Sequence, residues 1–297
     1  MTVIGIFGPM ASGKSAVAEA ITERLPAELV SADAMQVYRA LPILTNQPSV
    51  HTKLVGIWPL DHQASVGEYA PLAHAAIDEI LAAGKTAVVA GGTGLYLRAA
   101  LVDLALPSAP APGARERWSE FYDREGAAAA HGHLAKLDPE AAAAIHPNDR
   151  RRVVRALELA EAGDSLAPAT DRLWTEETRH PTLVVGLDVP KYELEQRILE
   201  RTHAMFDAGV EEEVRNALSG PISVTARKTL GLDEVANLPR DDAIAAIVVR
   251  TRRYAAYQRK WMRRIPGLVM VDADRPPGEI ADDIVALART REHLPRR

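Results

Sequence analysis

The sequence predicts an α/β protein: a parallel sheet flanked by helices, with a mostly helical insertion domain. Apolar runs of strand length alternate with helical patterns through the N-terminal third of the chain, which is typical of a parallel sheet covered on both faces. After Leu106, prolines lead into an alanine-rich stretch without strand patterns, and strands resume near Thr182. We therefore assign residues 1–106 and 182–297 to the core and residues 107–181 to the insertion.

The individual elements follow from the spacing of apolar residues. Residues 2–7 form a strand that leads through a glycine turn into a helix with Val17, Ile21 and Leu25 on one face. In the insertion, Asn148 is the expected N-cap of a helix that runs to Ala162. The remaining predicted strands are 28–31, 86–90, 182–188 and 268–272, and the remaining predicted core helices are 70–83, 191–207 and 241–262.

Composition limits the possible functions. Of the 297 residues, 47% are hydrophobic and 25% are charged, as in folded globular proteins. The absence of cysteine excludes disulfides, thiolate zinc sites and cysteine nucleophiles. No apolar run approaches the roughly 18 residues of a membrane span, and we expect a cytoplasmic monomer without a membrane partner. Because the net charge is −5, any polyanion must meet a local basic surface.

A phosphate-binding motif follows the first strand. Residues 8–15, Gly-Pro-Met-Ala-Ser-Gly-Lys-Ser, fit the P-loop pattern between a predicted strand and a predicted helix. In such a loop backbone N–H groups point at phosphate oxygens, Lys14 reaches the terminal phosphate and Ser15 ligates Mg²⁺. We therefore expect a P-loop NTPase-like core that binds a diphosphate or triphosphate, with Mg²⁺ as cofactor. The expected phosphate contacts are Gly8, Met10, Ala11, Ser12, Gly13, Lys14 and Ser15.

The motif alone does not define the reaction. Many P-loop NTPases place a metal-binding aspartate at the end of an apolar strand, but here residues 86–90 run into Gly91-Gly92. This weakens the interpretation as an ATPase without excluding it. A nucleotide or small-metabolite kinase therefore remains an alternative.

Further motifs resemble one enzyme family. Ser31-Ala-Asp-Ala-Met-Gln-Val-Tyr-Arg39 follows the second strand, and Gly91-Gly-Thr-Gly-Leu-Tyr96 follows the third. With residues 145–149, 225–231 and 251–261, these motifs cover nearly the whole chain in one order. In that order the chain resembles the tRNA dimethylallyltransferase (tRNA isopentenyltransferase) family of bacterial type.

The resemblance implies a reaction and roles for several residues. The P-loop would hold the diphosphate of dimethylallyl diphosphate. Asp33 would act as general base for the N6 amine of the adenosine 3′-adjacent to the anticodon in tRNA. An adenine amine is a poor nucleophile, and general-base assistance typically contributes about 10²–10⁴ in rate. Lys14, Mg²⁺ on Ser15 and Arg227 would neutralise the departing diphosphate.

The resemblance also implies a tRNA-binding surface for the anticodon stem-loop. It places against tRNA the insertion domain and Asp33, Ala34, Met35, Gln36, Thr93, Arg115, Arg151, Arg152 and Arg155. Gln36 would read a base edge. An Arg155–Glu158 ion pair on a solvated helix face is the alternative for the arginines of the insertion.

A basic stretch near the C-terminus is a second candidate RNA surface. Residues 250–264 contain seven basic residues and no acidic one, and Arg253 and Lys260 are the expected phosphate contacts. A solvated basic face is the alternative.

The chain also departs from the family pattern. The departures are Met10 for threonine, Ala34 for serine, Gln47 for lysine, Thr52-Lys53 for a histidine pair, Leu232 for tyrosine and Tyr257 for arginine. They bear on the contacts with tRNA and on the choice of acceptor, and they leave Asp33, Lys14 and Ser15 in place. Two further alternatives are a prenyltransferase acting on free adenine nucleotide and a non-catalytic tRNA-binding module.

Overall fold

The computed structural model describes residues 2–104, 106, 111, 113–167 and 172–292. The chain forms two compact units, one of Met1–Asp103 with Leu173–Arg297 and one of Leu104–Arg172. Residues 107–110 and 112, the proline-containing start of the predicted insertion, lie outside the described residues.

The first unit contains a six-stranded sheet in which every neighbouring pair of strands is parallel. The order across the sheet is β3-β2-β4-β1-β5-β6. The predicted parallel sheet flanked by helices is therefore confirmed. The strands are β1 (Val3–Phe7), β2 (Ala27–Ser31), β3 (Thr52–Lys53), β4 (Thr86–Gly91), β5 (Thr182–Asp188) and β6 (Val269–Asp272).

Helices of the first unit cover the sheet and supply residues to one of its edges. Their apolar faces bury a core that includes Ile4, Ile6, Ile21 and Val185. The helices are α1 (Lys14–Thr22), α2 (Val66–Ala82), α3 (Gly94–Leu101), α8 (Lys191–Asp207), α9 (Val210–Ala217), α10 (Leu232–Asn237), α11 (Arg240–Met262) and α12 (Pro277–Glu292).

One helix begins earlier than its apolar pattern suggests. α2 starts at Val66 and not at residue 70. The Ser65 side chain accepts a hydrogen bond from the Glu68 N–H, and the Glu68 carboxylate accepts one from the Ser65 N–H. This reciprocal capping satisfies backbone donors that a helix start otherwise leaves unpaired. The Ser-x-x-Glu spacing that produces it is visible in the sequence.

The second unit consists of helices around its own small core. Ala130, Leu134, Val153 and Leu157 are among its buried residues. The helices are α4 (Ala114–Glu125), α5 (Ala127–Leu137), α6 (Pro139–Ala144) and α7 (Arg150–Glu161).

The cap of α7 differs from the prediction. The N-cap is Asp149 and not Asn148, because the Asp149 carboxylate accepts a hydrogen bond from the Arg152 N–H at 3.2 Å. The Asn148 N–H instead donates to His146 Nδ1 at 3.1 Å. Both residue types cap helices well, and the negative charge of Asp149 adds a favourable interaction with the helix dipole.

The segment after the second unit packs on the first. The Arg98 side chain donates to the carbonyls of Leu173 and Thr175 at 2.8 and 2.6 Å. The Arg179 N–H donates to the Leu101 carbonyl at 2.9 Å. Residues 173–181, which the sequence assigned to the insertion, thus belong to the first unit. Within the described part of the chain, no helix combines the length and apolarity needed to cross a bilayer.

Candidate active site

Three loops meet at the carboxyl edge of the sheet. β2, β4 and β1 are adjacent, so the segments that follow them emerge side by side, as expected at this edge of an open α/β sheet. Together with α8 and α11 they line a cleft of about 820 Å³ in the first unit. The cleft brings together the predicted site residues Met10, Ala11, Gly13, Lys14, Ser15, Asp33, Ala34, Met35, Gln36 and Thr93.

The loop after β1 has the strained turn expected of an anion cradle. Gly13 has φ 85° and directly precedes α1, and Ala11 has φ 64°. The first N–H groups of α1 have no acceptor within the helix and carry its positive end. Gly8 and Ser12 were expected to contact phosphate but do not line the cleft. Ser12 is buried within the loop, and a Cβ on Gly8 would lie 2.6 Å from its Oγ.

The Lys14 ammonium is hydrogen-bonded to carbonyl groups of its own loop. Its Nζ donates to the carbonyls of Gly8 and Pro9 at 3.0 and 2.8 Å. The pKa of Lys14 is lowered to about 8, mainly by burial and also by the Arg201 guanidinium, while the Asp33 carboxylate acts in the opposite direction. A bound polyanion would favour the charged form of the lysine.

Asp33 lies just beyond the end of β2, and its side chain both bonds to the backbone of a turn and lines the cleft. Its Oδ1 accepts a hydrogen bond from the Met35 N–H at 2.9 Å, which is the turn contact common for aspartate. The residue also lines the cleft. It is close enough to Lys14 and Arg201 to raise the pKa of each. Asp33 therefore fixes a turn and presents a carboxylate to the cations of the cleft.

The glycines after β4 let neighbouring segments approach closely. A Cβ on Gly91 would overlap the Ala32 backbone, and a Cβ on Gly94 would overlap the Trp261 ring. Between them, Thr93 Oγ1 accepts a hydrogen bond from the Ala34 N–H at 3.2 Å. The glycine turn is thus bonded to the residue that follows Asp33.

Tyr254 on α11 adds a hydroxyl to the same wall. It lines the cleft and hydrogen-bonds with Thr93. Burial and the nearby Asp33 carboxylate raise the pKa of Tyr254 to about 12. The phenol therefore stays protonated at neutral pH and can donate a hydrogen bond.

Arg227 is not among the residues that line the cleft. Its Nη2 lies 3.2 Å from Asp233 Oδ1, and both side chains are half exposed. Within the described residues, the cleft cations besides Lys14 are Arg197, Arg201, Lys228 and Arg250. The arginine that the structure brings to Lys14 and Asp33 is therefore Arg201 and not the predicted Arg227.

The other cleft arginines already have acidic partners. Arg197 Nη2 lies 2.9 Å from Asp274, and Arg250 pairs with Glu234. Arg201 forms no such pair in the described part of the chain. Burial lowers the pKa of Arg201, and Asp33 opposes that effect. Its partly buried charge is thus available to an anion in the cleft.

Sequence reasoning missed Arg201, although one signal was present. Arg197 and Arg201 are four residues apart on a predicted helix, which places them on one face. The sequence does not reveal that this face packs beside the P-loop. That packing is a long-range contact.

The side-chain amide of Gln36 is hydrogen-bonded within the protein at both its oxygen and its nitrogen. Its Nε2 donates to the carbonyls of Thr45 and Asn46 at 3.2 and 2.9 Å, and Ser31 Oγ donates to its Oε1 at 2.8 Å. While these bonds persist, the amide holds residues 45–46 over the cleft and does not read a base edge. Gln47, a departure from the family pattern, donates to the Tyr38 carbonyl at 2.7 Å.

The arginines of the second unit divide into two kinds. Glu158 is fully buried and accepts from Arg115 Nε at 2.8 Å and from Arg155 Nη1 at 2.9 Å. The Arg155–Glu158 pair, the alternative derived from the sequence, is thus present. Arg151 and Arg152 are exposed, and Arg152 lies 3.6 Å from Asp149.

The basic residues between positions 250 and 264, on α11 and just after its end, are also of two kinds. Arg264 stacks on the Trp174 ring at 3.9 Å from its centroid, and Arg250 pairs with Glu234. Arg253 and Lys260 are exposed. Only part of this stretch is therefore available to a polyanion.

Comparison with known proteins identifies the family. A family model described as IPP transferase matches residues 36–265. A tRNA dimethylallyltransferase of Thermobifida fusca is 36% identical, with 96% of this chain and 94% of the relative covered. The crystal structure of a tRNA isopentenylpyrophosphate transferase from Bacillus halodurans is similar, with a TM-score of 0.69, 28% identity and 98% of both chains covered.

A eukaryotic dimethylallyltransferase, solved acting on tRNA, shares the fold. Its TM-score is 0.76 at 23% identity, with 96% of this chain and 80% of that chain covered. The resemblance seen in the sequence motifs is therefore confirmed over nearly the whole chain. This chain belongs to the IPP transferase family, whose curated relatives are tRNA dimethylallyltransferases.

Proposed function

We propose that this enzyme transfers a dimethylallyl group from dimethylallyl diphosphate to the N6 amine of the adenosine 3′-adjacent to the anticodon in tRNA. One observation carries the proposal: Lys14, Arg201 and Asp33 interact electrostatically within a single cleft. Two cations suit a departing diphosphate, and the carboxylate suits an amine that must lose a proton. We further propose that the enzyme acts as a cytoplasmic monomer.

On the donor side, the diphosphate would occupy the P-loop. The N-terminal amides of α1, the Lys14 ammonium and the Arg201 guanidinium would surround its oxygens. These groups stabilise the charge that develops as the bond between the allylic carbon and oxygen breaks. The electron pair of that bond leaves with the diphosphate.

The donor set also fits Mg²⁺. Ser15 lines the cleft next to Lys14, and Mg²⁺ typically combines few protein oxygens with substrate phosphates and water. Ser15 would hold the ion through its hydroxyl. When bound, Mg²⁺ would offset part of the negative charge of the diphosphate.

On the acceptor side, Asp33 would receive one proton from N6 as the nitrogen–carbon bond forms. The adenine must first leave the stacked anticodon loop, at a cost of a few kcal/mol. Thr93 and Tyr254 lie on the same wall as Asp33, where their hydroxyls can orient the base. Proton removal and diphosphate departure then take place on opposite sides of the reacting carbon.

A labelling experiment tests this function. The protein is mixed with labelled dimethylallyl diphosphate, Mg²⁺ and an unmodified anticodon stem-loop whose anticodon is followed by adenosine. We expect label in the RNA, and none when that adenosine is replaced by uridine or when AMP is the only acceptor. Label in AMP would instead support a free-nucleotide prenyltransferase, and phosphoryl transfer from ATP would support the kinase.

RNA binding would use the exposed cations. Arg253 and Lys260 on α11 and Arg151 and Arg152 on α7 are exposed. Arg115 and Arg155 would act indirectly, by holding Glu158 inside the second unit. We therefore assign direct phosphate contacts to the first four residues.

Charge reversal tests the surface on α11. We expect R253E/K260E to weaken stem-loop binding and to reduce the slope of log affinity against log salt by roughly 0.7–0.9 per lost phosphate contact. Binding is measured at several salt concentrations. R215E is the control, because Arg215 is an exposed arginine on a different helix, α9. An unchanged slope in the double variant would show that Arg253 and Lys260 form a solvated face and do not contact phosphates.

A further inference from the structure

Gln258 connects the two sides of the cleft. It is the buried side chain of α11 that lies between the P-loop and the glycine turn, and it is 2% exposed. Its Oε1 accepts a hydrogen bond from the Met10 N–H at 2.8 Å, and its Nε2 donates to the Gly92 carbonyl at 2.7 Å. One amide thus bridges two loops that the chain separates by about eighty residues.

Both bonds have structural consequences because little water reaches them: the bond to the Gly92 carbonyl is buried, and the bond from the Met10 N–H is partly buried. A buried backbone N–H or carbonyl that loses its partner is costly. The Gln258 amide therefore fixes the position of the P-loop at Met10 and of the segment after β4 at Gly92. Gly92 permits this approach, since a Cβ there would lie 2.5 Å from Gln258 Nε2.

The bridge continues from Gly92 to the carboxylate. Thr93, the next residue, accepts a hydrogen bond from the Ala34 N–H at 3.2 Å, and Ala34 directly follows Asp33. On the other side, Met10 lies in the turn that leads to Gly13 and Lys14. The connected path therefore runs from the anion cradle through Gln258 to the segment that carries Asp33.

We propose that Gln258 is a positioning residue that sets the separation between the anion cradle and Asp33. This role presupposes the transfer reaction proposed above. The donor carbon is fixed by the cradle, and the acceptor amine is fixed by Asp33 and its neighbours. A displacement of about 1 Å between reacting groups can cost about 10²-fold in rate even when each partner still binds.

The role predicts a specific kinetic signature. Gln258→Met keeps the length and approximate volume of the side chain but removes both hydrogen bonds. We expect kcat to fall about 10²-fold, while KM for RNA and the affinity for inorganic pyrophosphate change less than about threefold. Pyrophosphate is the probe for the cradle because its binding is measured without turnover. Gln258→Leu is the second variant, in case the thioether destabilises the fold.

The control removes a buried polar group from the same helix. Thr251 is 4% exposed on α11, and Thr251→Val keeps its shape; we expect its kcat to be near that of the wild type. Equal losses of kcat and pyrophosphate affinity in Gln258→Met would overturn the proposal, since the residue would then serve the cradle alone. Unchanged kcat would also overturn it. Failure of the wild-type protein to transfer the prenyl group would instead reject the function itself.

Discussion

Asp33→Asn is expected to lower kcat for prenyl transfer by about 10²–10⁴-fold, the usual contribution of a general base. The amide oxygen of asparagine can still accept the hydrogen bond from the Met35 N–H that Oδ1 accepts now. The turn should therefore survive, and affinity for the anticodon stem-loop should remain within a few-fold. Single-turnover transfer and equilibrium RNA binding are measured on the same preparation.

Asp188→Asn is the control for this experiment. Asp188 is also an aspartate at the carboxyl end of a strand, but it is exposed and does not line the cleft. We expect its transfer rate to match the wild type. If Asp33→Asn transferred the prenyl group at the wild-type rate, Asp33 would have only its role in the turn.

Arg201→Gln is expected to lower kcat by about 10²–10³-fold, the range seen when one donor to a developing anion is removed. The loss should appear in kcat and in pyrophosphate affinity, because the guanidinium lies on the diphosphate side of the proposed reaction. Arg201 forms no ion pair in the described part of the chain, and Asp33, with which it interacts at longer range, still has Lys14 nearby when the Arg201 charge is removed. The thermal midpoint should therefore change little.

Arg227→Gln is the discriminating comparison for Arg201. Arg227 pairs with Asp233 on a half-exposed surface, and such pairs contribute little to stability. We expect transfer by this variant to be near that of the wild type. The reverse outcome, with Arg227 essential and Arg201 dispensable, would show that the loop around residue 227 closes over the cleft when substrate binds.

The parts of the fold and site that depend on local sequence were predictable. The phosphate loop is contiguous, and its glycines and lysine have fixed spacing. Asp33 follows an apolar run, and parallel strands place their carboxyl ends at one edge, so its proximity to the P-loop follows from the sheet. Strand β3 was missed because two residues, Thr52 and Lys53, are too few to form a pattern.

The partners of individual side chains were not predictable. Gln36 was interpreted as a base reader, but its amide bonds to Ser31, Thr45 and Asn46. Arg201 became a candidate only when α8 was seen beside the P-loop. In both cases the outcome depends on long-range packing, which no local spacing encodes. The Arg155–Glu158 pair was anticipated because helical neighbours three residues apart can be read directly from the sequence.

The glycines after β4 also limit which amino-acid substitutions this protein can accept during evolution. At position 91 any side chain would collide with main chain, so no compensating replacement elsewhere can relieve it. At position 94 the obstacle is the Trp261 ring, so a substitution there requires a smaller residue on α11. At position 92 the obstacle is the end of the Gln258 side chain, which must move away from the Gly92 carbonyl or be replaced. In related sequences we therefore expect Gly91 to be invariant, and we expect substitutions at positions 92 and 94 to occur together with changes on α11.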